Sequence, residues 1–246
     1  MESIKNKIWI IEGRINEINK FDINFLQDDS IIHDEAIRCI NFSCSEGAFI
    51  HIISWLYVKY YDNKIGKENI NFLLNYMGEN NFQYVTDLRS HKKIVGRMRT
   101  FLHHDLKNDN KKNRTTKKYS NEWFRNQCFH ELPESEDDWK KCLNTILDDS
   151  ILFFNQMYLC LDFVFANEQK IFIIKQWEKT INPFSLYDVE IIIAELSEKE
   201  CIEVDPHEYA RKKYDEFIDD LKIRGLNGSK VELRNIIFKK MKSELL

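Results

Sequence analysis

Apolar residues recur every three or four positions along most of this 246-residue chain, the spacing that puts one apolar stripe on an α-helix. The longest such segment runs from Ser135 to Ala166 and predicts a core helix with a capping-box start. No segment keeps the period of a strand. The same spacing predicts shorter helices at residues 3–20, 33–42, 46–61, 68–77, 84–106, 168–181 and 186–196, with others beginning near Ser120, Asp205 and Ser229.

These segments predict an all-α fold, a helical bundle built on residues 84–106 and 135–166. The helical pattern is broken at Asn182-Pro183. We therefore expect a main helical domain at residues 1–182 and a C-terminal helical extension at residues 183–246. The chain contains only 7 Gly and 3 Pro, and this low content of turn residues favours long helices over hairpins.

The sequence offers no candidate signal peptide or membrane span. Charged residues interrupt the first apolar stretch, which excludes a signal-peptide core. The apolar segment Ile151–Phe165 is shorter than the roughly 20 residues that a membrane span needs. The six cysteines form no Cys-x-x-Cys pair and lie mostly among apolar residues. This pattern favours free thiols in a reducing compartment over disulfides. We therefore expect a cytoplasmic protein without membrane contact.

The formal charge of the chain is −4, but the segment Arg89–Lys118 holds eleven Lys or Arg against two acidic residues, a local charge of +9. A basic segment between acidic flanks predicts a localised binding site for a polyanion. Residues 107–119 have no apolar side chain before Tyr119, so we expect a mobile loop there. The residues expected to hold the phosphate backbone of RNA are Lys107, Lys111, Lys112, Arg114, Lys117 and Lys118.

Two arginines and two histidines lie just before residues 107–119, at the end of the predicted helix 84–106. Around a helix, Arg99 and His103 are about 40° apart, and Arg97 and His104 are about 20° apart. Imidazole exchanges protons near neutral pH and guanidinium pairs with phosphate oxygens, so these residue types suit phosphodiester cleavage. One helix presents few groups for a complete site, so we expect a homodimer whose two motifs face one another.

The stretch Arg99-Thr100-Phe101-Leu102-His103-His104 resembles the motif of the HEPN superfamily of all-helical ribonucleases and toxins, an arginine followed four to six residues later by a histidine. Arg97 also fits this spacing. The resemblance implies a bundle that dimerises around a composite cleft and cuts RNA by metal-independent attack of the 2′-hydroxyl. Under this resemblance we expect His104 to transfer the proton and Arg99 to stabilise the phosphate, with His103 and Arg97 assisting them or substituting for them. It also implies a toxin–antitoxin or antiphage role, with a cognate antitoxin or regulatory protein as a partner.

Two other interpretations remain open. His104-Asp105 is similar to the metal-binding dipeptide of HD-domain phosphohydrolases, with His91 or His51 as the upstream histidine. Alternatively, the chain is a non-catalytic nucleic-acid- or protein-binding module in which the arginines pair with acids. The apolar neighbours of His51 predict a hydrogen-bonded core histidine. No Gly-rich phosphate loop or Cys/His zinc spacing occurs, so the sequence gives little support to other site types. The ribonuclease that the resemblance implies uses neither a cofactor nor a metal.

Overall fold

The computed structural model describes residues 2–23, 30–32, 44–62, 64–104, 106, 110–181, 184–223 and 230–245. Within these ranges the fold consists of α-helices and contains no strand, which confirms the predicted all-α class. The predicted helix at residues 33–42 and Lys107, which was predicted to bind phosphate, lie outside the described residues. None of the described helices is long and apolar enough to cross a membrane.

The helices are numbered in chain order, and a π-helical turn at Val58–Asp62 continues the second of them. Their bounds are α1 (Glu2–Ile18), α2 (Ser45–Tyr57), α3 (Lys64–Glu79), α4 (Val85–His103), α5 (Lys111–Cys128), α6 (Glu136–Ala166), α7 (Lys170–Ile181), α8 (Leu186–Glu200), α9 (Pro206–Ile223) and α10 (Lys230–Leu245).

The chain divides into two compact units, Met1–Ile171 and Phe172–Leu246. The predicted boundary at Asn182-Pro183 lies outside the described residues. In the first unit the 31-residue helix α6 is central, because α1, α2, α3, α4 and α5 all pack against it. Its predicted capping box is confirmed: the Ser135 hydroxyl accepts from the backbone N–H of Asp138, whose carboxylate accepts from the backbone N–H of Ser135.

The second unit has its own apolar core, formed where α8 packs on α9 and α10. A second capping box, between Ser185 and Asp188, starts α8. Large apolar side chains from all three helices are buried together, which explains why this part of the chain packs as a unit. They include Ile192, Ile193, Phe217, Leu233 and Ile237.

The prediction of a mobile loop up to Tyr119 is wrong for the described residues, because α5 is a continuous helix from Lys111. The side chain of Asn110 caps it by accepting from the backbone N–H of Lys112 at 2.8 Å. The helix buries Thr116 and Ser120 on the face that continues into Phe124. A search for apolar spacing misses such a face, since its first two members are small hydroxyl residues. Ser120, predicted to begin a helix, is therefore a buried interior position.

The end of α4 also differs from the prediction. The helix stops at His103, and His104 follows it in an extended conformation with φ −127° and ψ 139°. His104 therefore does not occupy the helical position predicted for it. This change decides which arginine the histidine meets.

Candidate active site

The site is built where α2 and its π-helical turn pack against α4. Gly96 permits the approach, because a Cβ there would lie 3.0 Å from the ring and hydroxyl of Tyr61. The Tyr61 hydroxyl donates to the backbone carbonyl of Lys92 at 2.7 Å, which ties the turn to α4. The Tyr61 ring also stacks on Tyr57, with 5.0 Å between ring centroids. The position of Tyr57 beside α4 is thereby fixed.

Arg99 and His104 are in direct contact. A guanidinium nitrogen of Arg99 lies 3.0 Å from Nε2 of His104. Guanidinium can only donate, so this imidazole nitrogen accepts and carries no proton, which places the single proton of the neutral ring on Nδ1. The guanidinium carbon also lies 4.9 Å from the centre of the Tyr57 ring, a cation–π contact that orients the arginine. His104 itself is exposed, so its ring can reach a bound molecule.

His103 is held by α2. Its Nε2 lies 2.8 Å from the hydroxyl of Ser54, whose own proton is donated to the carbonyl of Ile50 at 2.9 Å. A hydroxyl has one proton, so the Ser54 oxygen accepts from Nε2–H, and the free lone pair of His103 is on Nδ1. Partial burial, then the nearby Arg99, His104 and His51, lower the pKa of His103. His103 is therefore neutral at neutral pH and able to accept a proton.

His51 was wrongly predicted to be a core histidine. It is exposed, because Ile52 and Ile53 occupy the buried face of α2 and leave position 51 on the solvent side. It lies close enough to His103 to contribute to the lowered pKa of that residue. The one signal in the sequence is that His51 precedes Ser54 by three residues, which puts both on one face of a helix. This spacing places His51 near His103 only because α2 packs against α4, which the sequence does not reveal.

Arg97 does not join the two histidines. A guanidinium nitrogen lies 3.3 Å from the Thr116 hydroxyl, and the guanidinium carbon lies 5.1 Å from the centre of the Tyr119 ring. The amino group of Lys93 lies 4.8 Å from the centre of the same ring. Arg97 therefore belongs to the packing of α4 on α5. The structure brings together Arg99, His103 and His104, and places Arg97 beside α5.

The basic residues predicted to hold RNA lie on α5. Lys111, Lys112, Arg114 and Lys118 are exposed, and Lys117 is half-buried. The positions 111, 114 and 118 are three and four residues apart, so they share one face, opposite the buried Thr116. Lys118 lies 3.8 Å from Glu122 one turn later. The predicted basic loop is thus, over its described part, a basic helical face.

His91 is a packed interior histidine. It is 4% exposed, and its Nε2 lies 3.0 Å from the hydroxyl of Tyr60 and 3.1 Å from that of Ser150. Burial lowers the pKa of His91 to about 3. Nδ1 lies 3.9 Å from a carboxylate oxygen of Asp149. The aspartate that the phosphohydrolase interpretation pairs with His104 lies outside the described residues, and within those residues no group of three or more His, Cys, Asp or Glu could hold a metal ion.

Comparison of the chain with protein-family models, with curated proteins and with solved structures gives no match. Membership of the HEPN superfamily and the expected homodimer stay predictions. The residues of α2, α4 and α5 and the geometry between them are therefore what indicates a function.

Proposed function

We propose that this chain is a metal-independent endoribonuclease that cleaves RNA by attack of a 2′-hydroxyl on the adjacent phosphorus. The observation that carries the proposal is the 3.0 Å contact between Arg99 and Nε2 of His104 at the exposed end of α4. It joins a phosphate-binding cation to an unprotonated imidazole, the two groups that such a cleavage requires. The same pairing is what the resemblance to the HEPN superfamily implies.

The contact suggests how substrate binding would start the reaction. A phosphodiester offers the Arg99 guanidinium a charged partner, and charge-assisted hydrogen bonds are stronger than bonds to neutral groups. Turning toward the phosphate, Arg99 releases Nε2 of His104, which accepts the proton of the 2′-hydroxyl. Arg99 then stabilises the negative charge that develops on the phosphoryl oxygens. His103, neutral and fixed by Ser54, supports His104 as a second proton acceptor.

The exposed face of α5 supports RNA as the substrate. Its cations follow α4 directly along the chain and are sequence-independent ligands for phosphate oxygens. We assign them to the RNA backbone rather than to bases. A toxin or antiphage role, restrained by a cognate antitoxin or regulatory protein, would follow from such an activity and is part of the proposal.

Contacts of the two arginines favour the ribonuclease over the non-catalytic binding module. That alternative pairs Arg97 and Arg99 with acids. Their hydrogen bonds in the described structure go instead to the Thr116 hydroxyl and the His104 imidazole. Within the described residues neither arginine forms an ion pair with a carboxylate, so the charge of each suits a phosphate ligand.

The test is incubation of the purified chain with mixed cellular RNA, with and without a strong chelator. Cleavage that survives the chelator and leaves 2′,3′-cyclic phosphate ends is the expected result, because the 2′-hydroxyl is the nucleophile. Activity that disappears with the chelator would support the metal-dependent phosphohydrolase. RNA binding without cleavage in either condition would support the binding module.

A further inference from the structure

Three histidines lie near one another at the proposed site, and His51 is close enough to His103 to influence its pKa. His103 and His104 come from the end of α4, and His51 comes from α2, where it lies three residues before Ser54. Side chains three apart on a helix are neighbours, with Cβ atoms about 5–6 Å from one another. Because Ser54 bonds directly to His103, the exposed His51 ring is carried to the edge of the same site.

The proposed reaction needs a proton donor as well as a proton acceptor. The 2′-oxygen loses a proton as it attacks, and the 5′-oxygen must gain one as its bond to phosphorus breaks, since an alkoxide is a poor leaving group. Both histidines of α4 are arranged to accept: the Arg99 contact leaves Nε2 of His104 without a proton, and His103 is neutral with a free Nδ1. The donor is therefore missing from α4 itself.

We propose that His51 is the donor, a catalytic residue that protonates the leaving 5′-oxygen. This inference rests on the proposed ribonuclease function. In the step, the 2′-hydroxyl proton passes to His104, the 2′-oxygen forms a bond to phosphorus, and the bond from phosphorus to the 5′-oxygen breaks. The 5′-oxygen takes the proton of the His51 imidazolium. The products are a 2′,3′-cyclic phosphate and a 5′-hydroxyl end, and exchange with water resets both rings.

This assignment places the donor on α2 and the acceptor at the residue that follows α4, so they can flank the phosphate from two sides. It also supplies the second proton-transfer group within one chain. A facing copy of the motif is then not needed to complete the chemistry.

The role of His51 is tested by comparing two substrates. Ordinary RNA has a 5′-alkoxide leaving group that needs a proton, whereas a uridine 3′-phosphate 4-nitrophenyl ester releases a phenolate that does not. His51→Ala and His51→Gln should lower cleavage of RNA by about 10²–10⁴-fold. Both should cleave the nitrophenyl ester at nearly the wild-type rate. His51 is exposed, and circular dichroism should show the wild-type helix content in both variants.

The matched control is His207→Ala, which removes an exposed histidine of the second unit that lies 3.1 Å from Glu190 and should change neither rate. Equal losses on both substrates would overturn the donor role and point to an acceptor or structural role for His51. Unchanged RNA cleavage in the His51 variants would overturn any catalytic role. A wild-type chain that cleaves neither substrate would instead overturn the proposed function itself, and this inference with it.

Discussion

Several cations on the surface of the second unit bond to carboxylates, whereas the hydrogen bonds of the two arginines at the end of α4 go to uncharged groups. In the second unit Arg234 bonds to Glu195, and the Lys213 amino group lies 2.6 Å from Glu244. The carboxylate hydrogen bonds raise the pKa of Lys213 to about 12. These charges cancel one another locally.

At the end of α4, the hydrogen bond of Arg99 goes to the His104 imidazole and that of Arg97 to the Thr116 hydroxyl. The guanidinium of Arg99 also lies over the ring of Tyr57, and that of Arg97 over the ring of Tyr119. Exposed ion pairs contribute only about 0–1 kcal/mol to folding, so both arrangements cost the fold little. Within the described residues the difference lies in the partners of the arginines, which carry no negative charge. Under the proposed function, this is the positive charge that binds the phosphate of RNA.

The largest effect is expected from the imidazole that Arg99 contacts. His104→Ala should lower cleavage of RNA by about 10²–10⁴-fold, the usual contribution of a positioned acid or base. His104 is exposed, so the free energy of unfolding should change by no more than about 0.5 kcal/mol. Single-turnover cleavage and urea unfolding measure the two quantities. An equal loss of cleavage in His207→Ala, which removes the histidine beside Glu190, would contradict the functional difference between the two regions.

A second effect concerns His91, whose hydrogen bonds also go to uncharged groups, the hydroxyls of Tyr60 and Ser150. Its pKa is lowered from an ordinary 6.5 to about 3 by burial, so between these values the unfolded chain binds a proton that the folded chain does not. Stability should therefore fall as pH falls through this window, and the contribution of His91 between pH 7 and pH 5 is about 2 kcal/mol. Urea unfolding at both pH values measures it.

The control for this prediction is His91→Gln, which keeps a polar side chain without a titrating ring. The variant should be less stable at pH 7, but its loss of stability on going to pH 5 should be smaller than that of the wild-type chain. Parallel pH dependence in the two proteins would contradict the buried, neutral state of His91.

Much of the fold follows from the sequence because burial imposes the helical period. The apolar stripe of α6 and its capping box at Ser135 can be predicted from the sequence alone. The first half of helix α5, from Lys111 to Tyr119, was missed because its buried face begins with Thr116 and Ser120, whose hydroxyls give no apolar signal. That segment is helical because the side chain of Asn110 caps its start and because Thr116 and Ser120 are buried against other helices.

The candidate site was only partly predictable. The spacing of Arg99 and His104 is visible in the sequence, but their contact depends on α4 ending at His103, and helix ends are poorly specified by periodicity. Helical angles paired Arg97 with His104, which the extended conformation of His104 prevents. His51 joins the site through the packing of α2 on α4, a long-range fact that local sequence does not carry.

A smaller effect should come from giving Arg99 the kind of partner that cations of the second unit have. Tyr57→Glu places a carboxylate where the ring now faces the guanidinium at 4.9 Å. A charge-assisted bond is worth about 1.5–3 kcal/mol and would compete with phosphate, so KM for RNA should rise at least about tenfold. Tyr57→Gln, which removes the ring without adding charge, is the control. Equal KM values in the two variants would mean that the charge of Arg99 does not bind substrate.

The smallest effect is expected from single cations of α5. Arg114 is exposed on the outer face of this helix, and Arg114→Gln should remove one phosphate contact. The slope of log affinity against log salt concentration for single-stranded RNA should then flatten by about 0.7, because one fewer counterion is released. Arg211→Gln, at an exposed position of α9 in the second unit, is the matched control and should leave the slope unchanged. Fluorescence anisotropy between 50 and 200 mM salt measures both.

An unchanged slope for Arg114→Gln, or equal flattening in both variants, would mean that α5 attracts RNA no more specifically than the rest of the surface. A flattened slope for Arg114→Gln alone would place the RNA backbone along α5, next to the helix that carries Arg99 and His103.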